Sequence, residues 1–286
     1  MSSLPAPRRS AIALLSLALV LASFSASPVA AQSPGVQATF EAELGTVKLL
    51  SHTYRVGASP ANTTFDFVNM GGQEILFPFA RLTAFLTFEG RHQLRFLYQP
   101  LEIQTEVDFP SAVTIDGKVF NGPTAMTYSF PFYRATYLYR FLEGQGSWLA
   151  AGGAVQLRNA SIRFASLDGT ELAVSQNLGI VPALAISGRA NLGGGWFAAF
   201  DATGIYASSA LFNGATFTFE GSILDASARV GFGIGEGREL FLNARFFGGS
   251  AAGISGFDRG AWSNSLSPET ENRIASVTLT LGATIR

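Results

Sequence analysis

Any acid–base or nucleophilic chemistry in this sequence of 286 residues depends on its two histidines, His52 and His92. An esterase or acyl-transferase needs a nucleophile and a base within hydrogen-bond reach, and an acid to orient the base. Ser51 and His52 are neighbours, and Asp66 follows in the next connection. His92 stands beside a predicted tight turn. A histidine exposed on the surface accounts for each of them more simply, so we expect the protein not to be an enzyme.

The other motifs give no support for a cofactor. Glycines alternate with other residues from Gly231 to Gly237, but a phosphate loop would need a strand–turn–helix setting and a Lys-Ser/Thr pair. Glycines that lead into a turn explain this run. The sequence has no cysteine and only two histidines, so it lacks the residue clusters that hold zinc. We predict no cofactor, no metal site and no disulfide.

Charged residues alternate with apolar ones in extended segments, most clearly between Tyr133 and Phe141. Odd positions there are aromatic or apolar, whereas Arg134, Thr136 and Arg140 fall on even positions. A period of two places the two sets on opposite faces of a β-strand. In a soluble sandwich the charged face would meet water and the apolar face a core. In an outer-membrane barrel the apolar face meets lipid and the charged face lines the lumen.

The beginning of the sequence predicts export. Arg8 and Arg9 precede an apolar run of about 14 residues, and small residues lead to Ala31, a pattern typical of a cleaved signal peptide. We therefore expect a signal peptide at residues 1–31 and one domain at residues 32–286. Without the two arginines, 17 of the 19 basic residues remain against 20 acidic ones. This slight acidic excess predicts no nucleic-acid partner.

We predict about ten β-strands joined by alternating short and long connections. Short, glycine-containing turns are expected at 89–91, 143–146, 193–195 and 235–238. Long connections include 57–75, 108–123, 210–215 and 250–272. The strands are expected at about 37–50, 76–88, 93–106, 125–142, 148–164, 178–192, 196–208, 218–234, 240–249 and 273–286.

Two strands are predicted to change the face on which their apolar residues lie. In the first strand, Gly45 would mark a bulge that turns Val47 and Leu49 outward. In the third strand, Pro100 cannot donate to the sheet ladder and would mark a second change, after which Glu102 faces inward. Both changes would keep the large apolar residues on one outer face.

Three features favour a membrane barrel over a soluble β-protein. Short and long connections alternate, as in barrels with short periplasmic turns and long outer loops. Trp148 and Trp196 follow short turns, which suggests an aromatic girdle at one membrane interface. An even number of strands lets the first and last pair, so that the sheet has no edge. We predict an all-β, closed antiparallel transmembrane β-barrel of about ten strands, with eight or twelve as alternatives, monomeric and surrounded by membrane lipid.

The stretches Leu97–Leu101, Leu-Tyr-Gln-Pro-Leu, and Tyr133–Arg140, Tyr-Arg-Ala-Thr-Tyr-Leu-Tyr-Arg, look like features of a known class. With them, the chain resembles bacterial outer-membrane β-barrel proteins, in particular small barrels of the outer-membrane protein A-like and W-like kind. The resemblance lies in pattern and covers nearly the whole of residues 32–286. It implies a location in the bacterial outer membrane. The sequence departs from such barrels at Ile285 and Arg286, where they usually have an aromatic residue.

The residues predicted to line the lumen combine many arginines with few acids. Buried guanidinium–carboxylate pairs could fill a narrow barrel, whereas a net-positive passage would favour anions. The leading hypothesis is a narrow channel or uptake protein for small polar or anionic solutes. The alternatives are a closed structural or surface-interaction barrel whose outer loops bind partners, and an outer-leaflet lipid-modifying enzyme that uses His52. The predicted lumen residues are Arg81, Arg95, Gln99, Glu102, Arg134, Arg140, Arg158, Arg189, Asp201, Asp225, Arg229 and Arg245.

Overall fold

A computed structural model describes residues 35–57, 62–208, 219–254 and 269–286. The predicted signal peptide lies outside the described residues, as do the predicted connection at 210–215 and most of the one at 250–272. Within the described ranges, no helix is long and apolar enough to cross a membrane. The strands found there are β1 (Val36–Val56), β2 (Phe65–Asp66), β3 (Leu76–Phe88), β4 (His92–Gln99), β5 (Glu102–Ile115), β6 (Lys118–Ser129), β7 (Phe132–Gly144), β8 (Ser147–Ser166), β9 (Leu172–Gly193), β10 (Trp196–Ser208), β11 (Phe219–Gly235), β12 (Arg238–Ile254) and β13 (Glu269–Ile285).

The sheet closes because its first and last long strands pair. β1 and β13 run antiparallel from Phe40 opposite Ile285 to Val56 opposite Thr270. β4 and β5 follow one another along one barrel strand, β6 and β7 follow one another along the next, and β2 only adds a short pairing to β1. The described strands therefore form the predicted closed antiparallel barrel of ten strands.

One long hairpin replaces the predicted connection at 108–123, which is a wrong prediction. β4 pairs with β7 and β5 pairs with β6 in one register, from His92 opposite Tyr139 to Phe109 opposite Gly122, and this register shifts only between Phe109 and Val113, near the turn. Pro100 and Pro131 lie opposite each other in this register, and neither can donate a backbone hydrogen bond, which explains the short break in both strands. The hairpin turns at Asp116 and Gly117, whose φ angles of 51° and 74° are left-handed, as a two-residue hairpin turn requires.

The short-turn half of the barrel presents apolar side chains to the outside. Leu184 on β9 is 74% exposed, and the neighbouring strands carry similar residues at the same level. A closed barrel with such a wall satisfies its backbone internally and can be surrounded by hydrocarbon. The exposed apolar residues of this wall include Phe40, Leu82, Phe96, Tyr133, Tyr137, Leu149, Leu184, Ile186, Leu224, Val230, Leu242, Leu279 and Leu281.

The other end of the barrel, which we call the head, comprises β2, residues 62–75, β5, β6 and the outer ends of β1, β8 and β9. β3 pairs with β4 only as far as Leu82 opposite Tyr98, so beyond that point β5 has no partner in β3, whereas β6 stays paired with β8. Residues 62–75 connect β1 with β5: the Phe67 amide donates to the His52 carbonyl, and the Thr63 amide donates to the Thr114 carbonyl, both at 2.9 Å. This segment thereby completes the wall of the head.

The interior of the head is an aromatic core. Phe67 packs against Phe65, with ring centroids 4.9 Å apart, and against Phe164 at 5.5 Å. All three side chains are at most 1% exposed. The core therefore fills the barrel at its long-loop end. Its other members include Val47, Leu49, Tyr54, Phe77, Phe79, Leu101, Ile103, Phe109, Phe120, Met126, Tyr128, Phe130, Phe132, Ile162 and Phe247.

Both predicted changes of face are wrong, for one physical reason. Val47 and Leu49 point into the core, because β1 stays regular through Gly45 and its register shifts only between Leu49 and Ser51. Ile103 is buried and Glu102 is exposed. The alternation itself does not change at Gly45 or at Pro100. The surroundings change, since beyond the membrane the inside is apolar and the outside is water.

The predicted aromatic girdle is also wrong for one of its two tryptophans. Trp196 is 52% exposed and lies on the outer wall. Trp148 points inward, where it packs against the buried Leu138, Ala150 and Ala185. Trp148 shares its parity along β8 with Ala150, whereas the exposed Leu149 occupies the opposite face. Proximity to a turn does not decide the face on which a residue lies.

We predict that Phe67→Ala lowers the free energy of unfolding by about 3–5 kcal/mol, because it opens a cavity in the packed head. Val119→Ala serves as the control, since Val119 lies in the same head but is 53% exposed. It should change the free energy by no more than about 0.5 kcal/mol. Equilibrium urea unfolding in lipid vesicles measures both values. Equal losses for the two variants would contradict a packed head.

Candidate functional site: the charged layer inside the barrel

Asp225 is the centre of a group of charges that crosses the lumen. It accepts hydrogen bonds from Arg81 at 2.9 Å, from Arg134 at 2.8 Å and from Arg245 at 2.8 Å. These residues lie on β11, β3, β7 and β12, and all four are 2–7% exposed. Because other strands separate β7 from β11 on both sides, the bond between Arg134 and Asp225 spans the lumen. Charge-assisted hydrogen bonds of this length are stronger than neutral ones.

Glu43 on β1 extends this group to another part of the wall. One of its oxygens accepts from Arg245 at 3.1 Å. The other accepts from Asn243 at 2.6 Å and from Thr280 at 2.7 Å. Each carboxylate oxygen of Asp225 and Glu43 therefore has a donor. A buried charge pair is tolerated only under this condition, since desolvation of each charge is costly.

A second group of charges lies nearer the short turns. Arg229 donates to Glu41 and to Asp201, both at 2.6 Å. Arg95 donates to Asp201 and also to the Ser187 hydroxyl, the latter at 2.8 Å. Together, the two groups join β1, β3, β4, β7, β9, β10, β11 and β12 across the interior. We call them the charged layer.

The lumen widens at the short-turn end into a polar cavity of about 100 Å³, which we call the vestibule. Five arginines and three carboxylates are among the residues that line it. Glu239 accepts two hydrogen bonds from Arg189, at 2.9 and 3.0 Å, and a further one from Arg286. The guanidinium of Arg140 lies over the ring of Trp148, 4.7 Å from its centroid.

The charged layer leaves little space for a solute. The cavity between its side chains has a volume of about 40 Å³, enough for only a few water molecules, since a cavity needs roughly 10–15 Å³ to hold one. On the far side of the layer, the aromatic core fills the head. Among the described residues, no open passage therefore connects the vestibule with the long-loop end.

A larger hollow, of about 750 Å³, lies on the outside of the barrel. Its lining includes the exposed side chains of Phe40, Leu82, Phe96 and Tyr133. These residues belong to the apolar wall, so membrane hydrocarbon borders this hollow. It is therefore a feature of the wall and not part of the lumen.

Most of the predicted lumen residues lie inside the barrel, and one does not. Glu102 is on the outer face of β5 because that strand stands in water, as described above. The side chain of Arg158 lies outside the described residues. The remaining ten, all placed in the interior or the vestibule, are Arg81, Arg95, Gln99, Arg134, Arg140, Arg189, Asp201, Asp225, Arg229 and Arg245.

Glu239, which binds two arginines of the vestibule, is absent from the predicted lumen residues. Glu239 falls between the predicted turn at 235–238 and the ninth strand, which is predicted to begin at about Leu240. Its parity with Asn243 and Arg245 was the signal that could have placed it inside. The same parity rule could have predicted that Trp148 points inward.

His52 lies apart from the charged layer, inside the head. It is fully buried, its Nδ1 is 2.9 Å from the Gln73 side-chain oxygen, and its ring stacks on Phe67 at 4.3 Å. Ser51 is exposed on the opposite face, so the two neighbours do not form a nucleophile–base pair. In the described part of the chain, no group of three or more potential ligands is placed to hold a metal ion. The lack of enzymatic activity stays a prediction.

No family model matches the sequence, and no curated protein matches it either. The fold is similar to that of the outer membrane protease OmpT from Escherichia coli, with a TM-score of 0.45, 9% identity and coverage of 87% of this chain and 96% of that one. A FadL homologue from Pseudomonas aeruginosa matches with a TM-score of 0.35 and 10% identity, over 87% of this chain and 89% of the other. The outer membrane protein AlkL matches with a TM-score of 0.32 and 12% identity, over 91% and 95%.

These similarities concern the overall architecture alone. Its architecture is a closed antiparallel barrel with an apolar wall and a charged interior. A wall of this kind would be unstable in water and is suited to a lipid bilayer. The chain is therefore a closed antiparallel β-barrel of the kind that spans a lipid bilayer, as its sequence predicts.

Proposed function

We propose that this protein is a closed outer-membrane barrel that holds a folded head at the cell surface and does not form an open pore. The convergence of Arg81, Arg134 and Arg245 on Asp225 carries this proposal, because these bonds join separate walls of the lumen. A solute could pass only if several buried charge pairs separated at once. Each separation would leave a charge without its partner in a narrow interior.

The construction of the head supports the same proposal. A channel needs a lumen that stays open on the outer side, whereas here aromatic side chains fill it. The head instead offers an outer surface: Glu102, Glu106 and Asp108 are exposed on one face of β5. In barrels of this kind the long connections lie on the cell exterior. The head is therefore the part of the protein that would meet external partners.

A narrow passage for small anions is the second candidate. The vestibule favours it, because five arginines face only three carboxylates there, and rings of arginine give anion preference. This function would require a second arrangement of the charged layer, in which Arg134 releases Asp225. The two candidates share the same fold and differ in whether the barrel conducts ions.

We predict that the purified protein gives no discrete conductance steps in planar lipid bilayers bathed in potassium chloride. The physical reason is the sealed lumen described above. A porin inserted under the same conditions serves as the positive control. Reproducible single-channel steps would overturn the closed-barrel proposal. If their reversal potential in a salt gradient also reported anion preference, the second candidate would replace it.

We predict that Asp225→Asn destabilises the folded barrel by about 3–5 kcal/mol, because it removes the negative charge that three buried arginines share. Glu106→Gln is the control, since this carboxylate is exposed on β5. It should change stability by at most about 0.5 kcal/mol. Urea unfolding in vesicles, followed by tryptophan fluorescence, measures both. An Asp225→Asn barrel as stable as the control variant would mean that the charged layer is not tightly packed.

A further inference from the structure

We propose that the vestibule is a binding site for a small soluble oxyanion of the phosphate class. It lies at the end of the molecule opposite the head, so this proposal is independent of the proposed surface function. The strands around it separate it from membrane lipid, which favours a free anion over a lipid headgroup. Its volume of about 100 Å³ suits an ion of only a few heavy atoms.

The first observation behind this proposal is that two arginines share one carboxylate, that of Glu239. This single carboxylate accepts hydrogen bonds from two guanidinium groups, those of Arg189 and Arg286. Arg189 occupies both of its oxygens at 2.9 and 3.0 Å. Arg286 adds a further positive charge to a carboxylate that is already paired, and 38% of its side chain is exposed. The guanidinium of Arg286 is thus accessible to a second anion, to which it can donate a further hydrogen bond.

The second observation is the weak pairing of Arg140. Its nearest carboxylate belongs to Glu143 at 3.5 Å, a longer separation than those of the other arginines in the vestibule. One of its NH groups donates to the Gly90 carbonyl at 3.1 Å, and the Trp148 ring covers one face of the guanidinium. The Nε of Arg140 is buried and has no hydrogen-bond partner among the described residues. The guanidinium of Arg140 also lines the vestibule, so an oxyanion bound there would accept hydrogen bonds from its terminal NH groups.

The chemistry of these donors defines the ligand class. Planar guanidinium groups bind the oxygens of phosphate or carboxylate groups in a bidentate manner. The second group of charges closes the inner end of the vestibule, through Arg95, Arg229 and Asp201. The anion would therefore enter and leave from the short-turn side, which faces the periplasm in barrels of this kind. The site would hold the anion at that face without passing it on.

The test is calorimetric titration of the purified, detergent-solubilised protein with inorganic phosphate, against sodium chloride of the same ionic strength. We expect saturable binding of phosphate and a concurrent change in tryptophan fluorescence, because Trp148 contacts Arg140. Arg140→Gln and Arg286→Gln should each weaken binding about tenfold or more, since each removes a charged hydrogen-bond donor. Arg286 lies at the periphery of the barrel, so its variant tests the site even if Arg140→Gln does not fold.

The control is Arg273→Gln, because Arg273 pairs with Glu271 on the head side and 67% of its side chain is exposed. This variant should bind phosphate like the unchanged protein. Retention of the unheated gel mobility shift verifies that each variant is folded. The proposal is overturned if phosphate gives no more heat than chloride, or if Arg286→Gln weakens binding no more than Arg273→Gln does. Neither result depends on whether the barrel conducts ions.

Discussion

The structure depends on the requirement that no charge stays unpaired inside a narrow barrel walled by lipid. Asp225 meets this requirement for three arginines that lie far apart in the sequence, Arg81, Arg134 and Arg245. Each arginine belongs to a different strand, so the three bonds can form together only if the strands have one particular stagger. Buried ion pairs contribute little net stability because desolvation offsets their attraction, but the loss of one partner is costly. The charged layer therefore favours one register of the barrel over shifted ones, and it closes the lumen at the same time.

The membrane part of this fold was predictable from the sequence, whereas the head was not. A period of two assigns residues to the same face, but it does not say which face is inside. In lipid the polar face turns inward, and in water the apolar face does. Along β1, Glu41 and Glu43 precede Val47 and Leu49 on one and the same inner face. From the sequence alone, a bulge at Gly45 is predicted in place of this change of polarity, because the alternation does not show the level at which the membrane ends.

The interior position of most charged residues was equally predictable, but their pairing was not. Arg189 was expected to face the lumen on parity alone, and it does so. Its partner Glu239 lies on β12, two strands away from β10, the neighbour of β9. Which residues meet across a lumen depends on the stagger of all strands between them. The stagger follows from the register of every pair of neighbouring strands and cannot be obtained from one strand. The weak pairing of Arg140 and the excess of arginine in the vestibule can be recognised only once the ion pairs across the lumen are known.

The interior of the barrel has three successive levels: a polar vestibule, a sealed charged layer and an aromatic head. The reactivity of introduced thiols tests the seal most directly, because the chain has no cysteine of its own. Thr39 lines the vestibule, and Thr136 is buried in the charged layer beside Arg134. Single Thr39→Cys and Thr136→Cys variants, folded in vesicles, would be treated with a charged, water-soluble maleimide. A sealed lumen predicts rapid labelling at position 39 and almost none at position 136 until the protein is unfolded. Comparable labelling of the two folded variants would contradict a closed barrel.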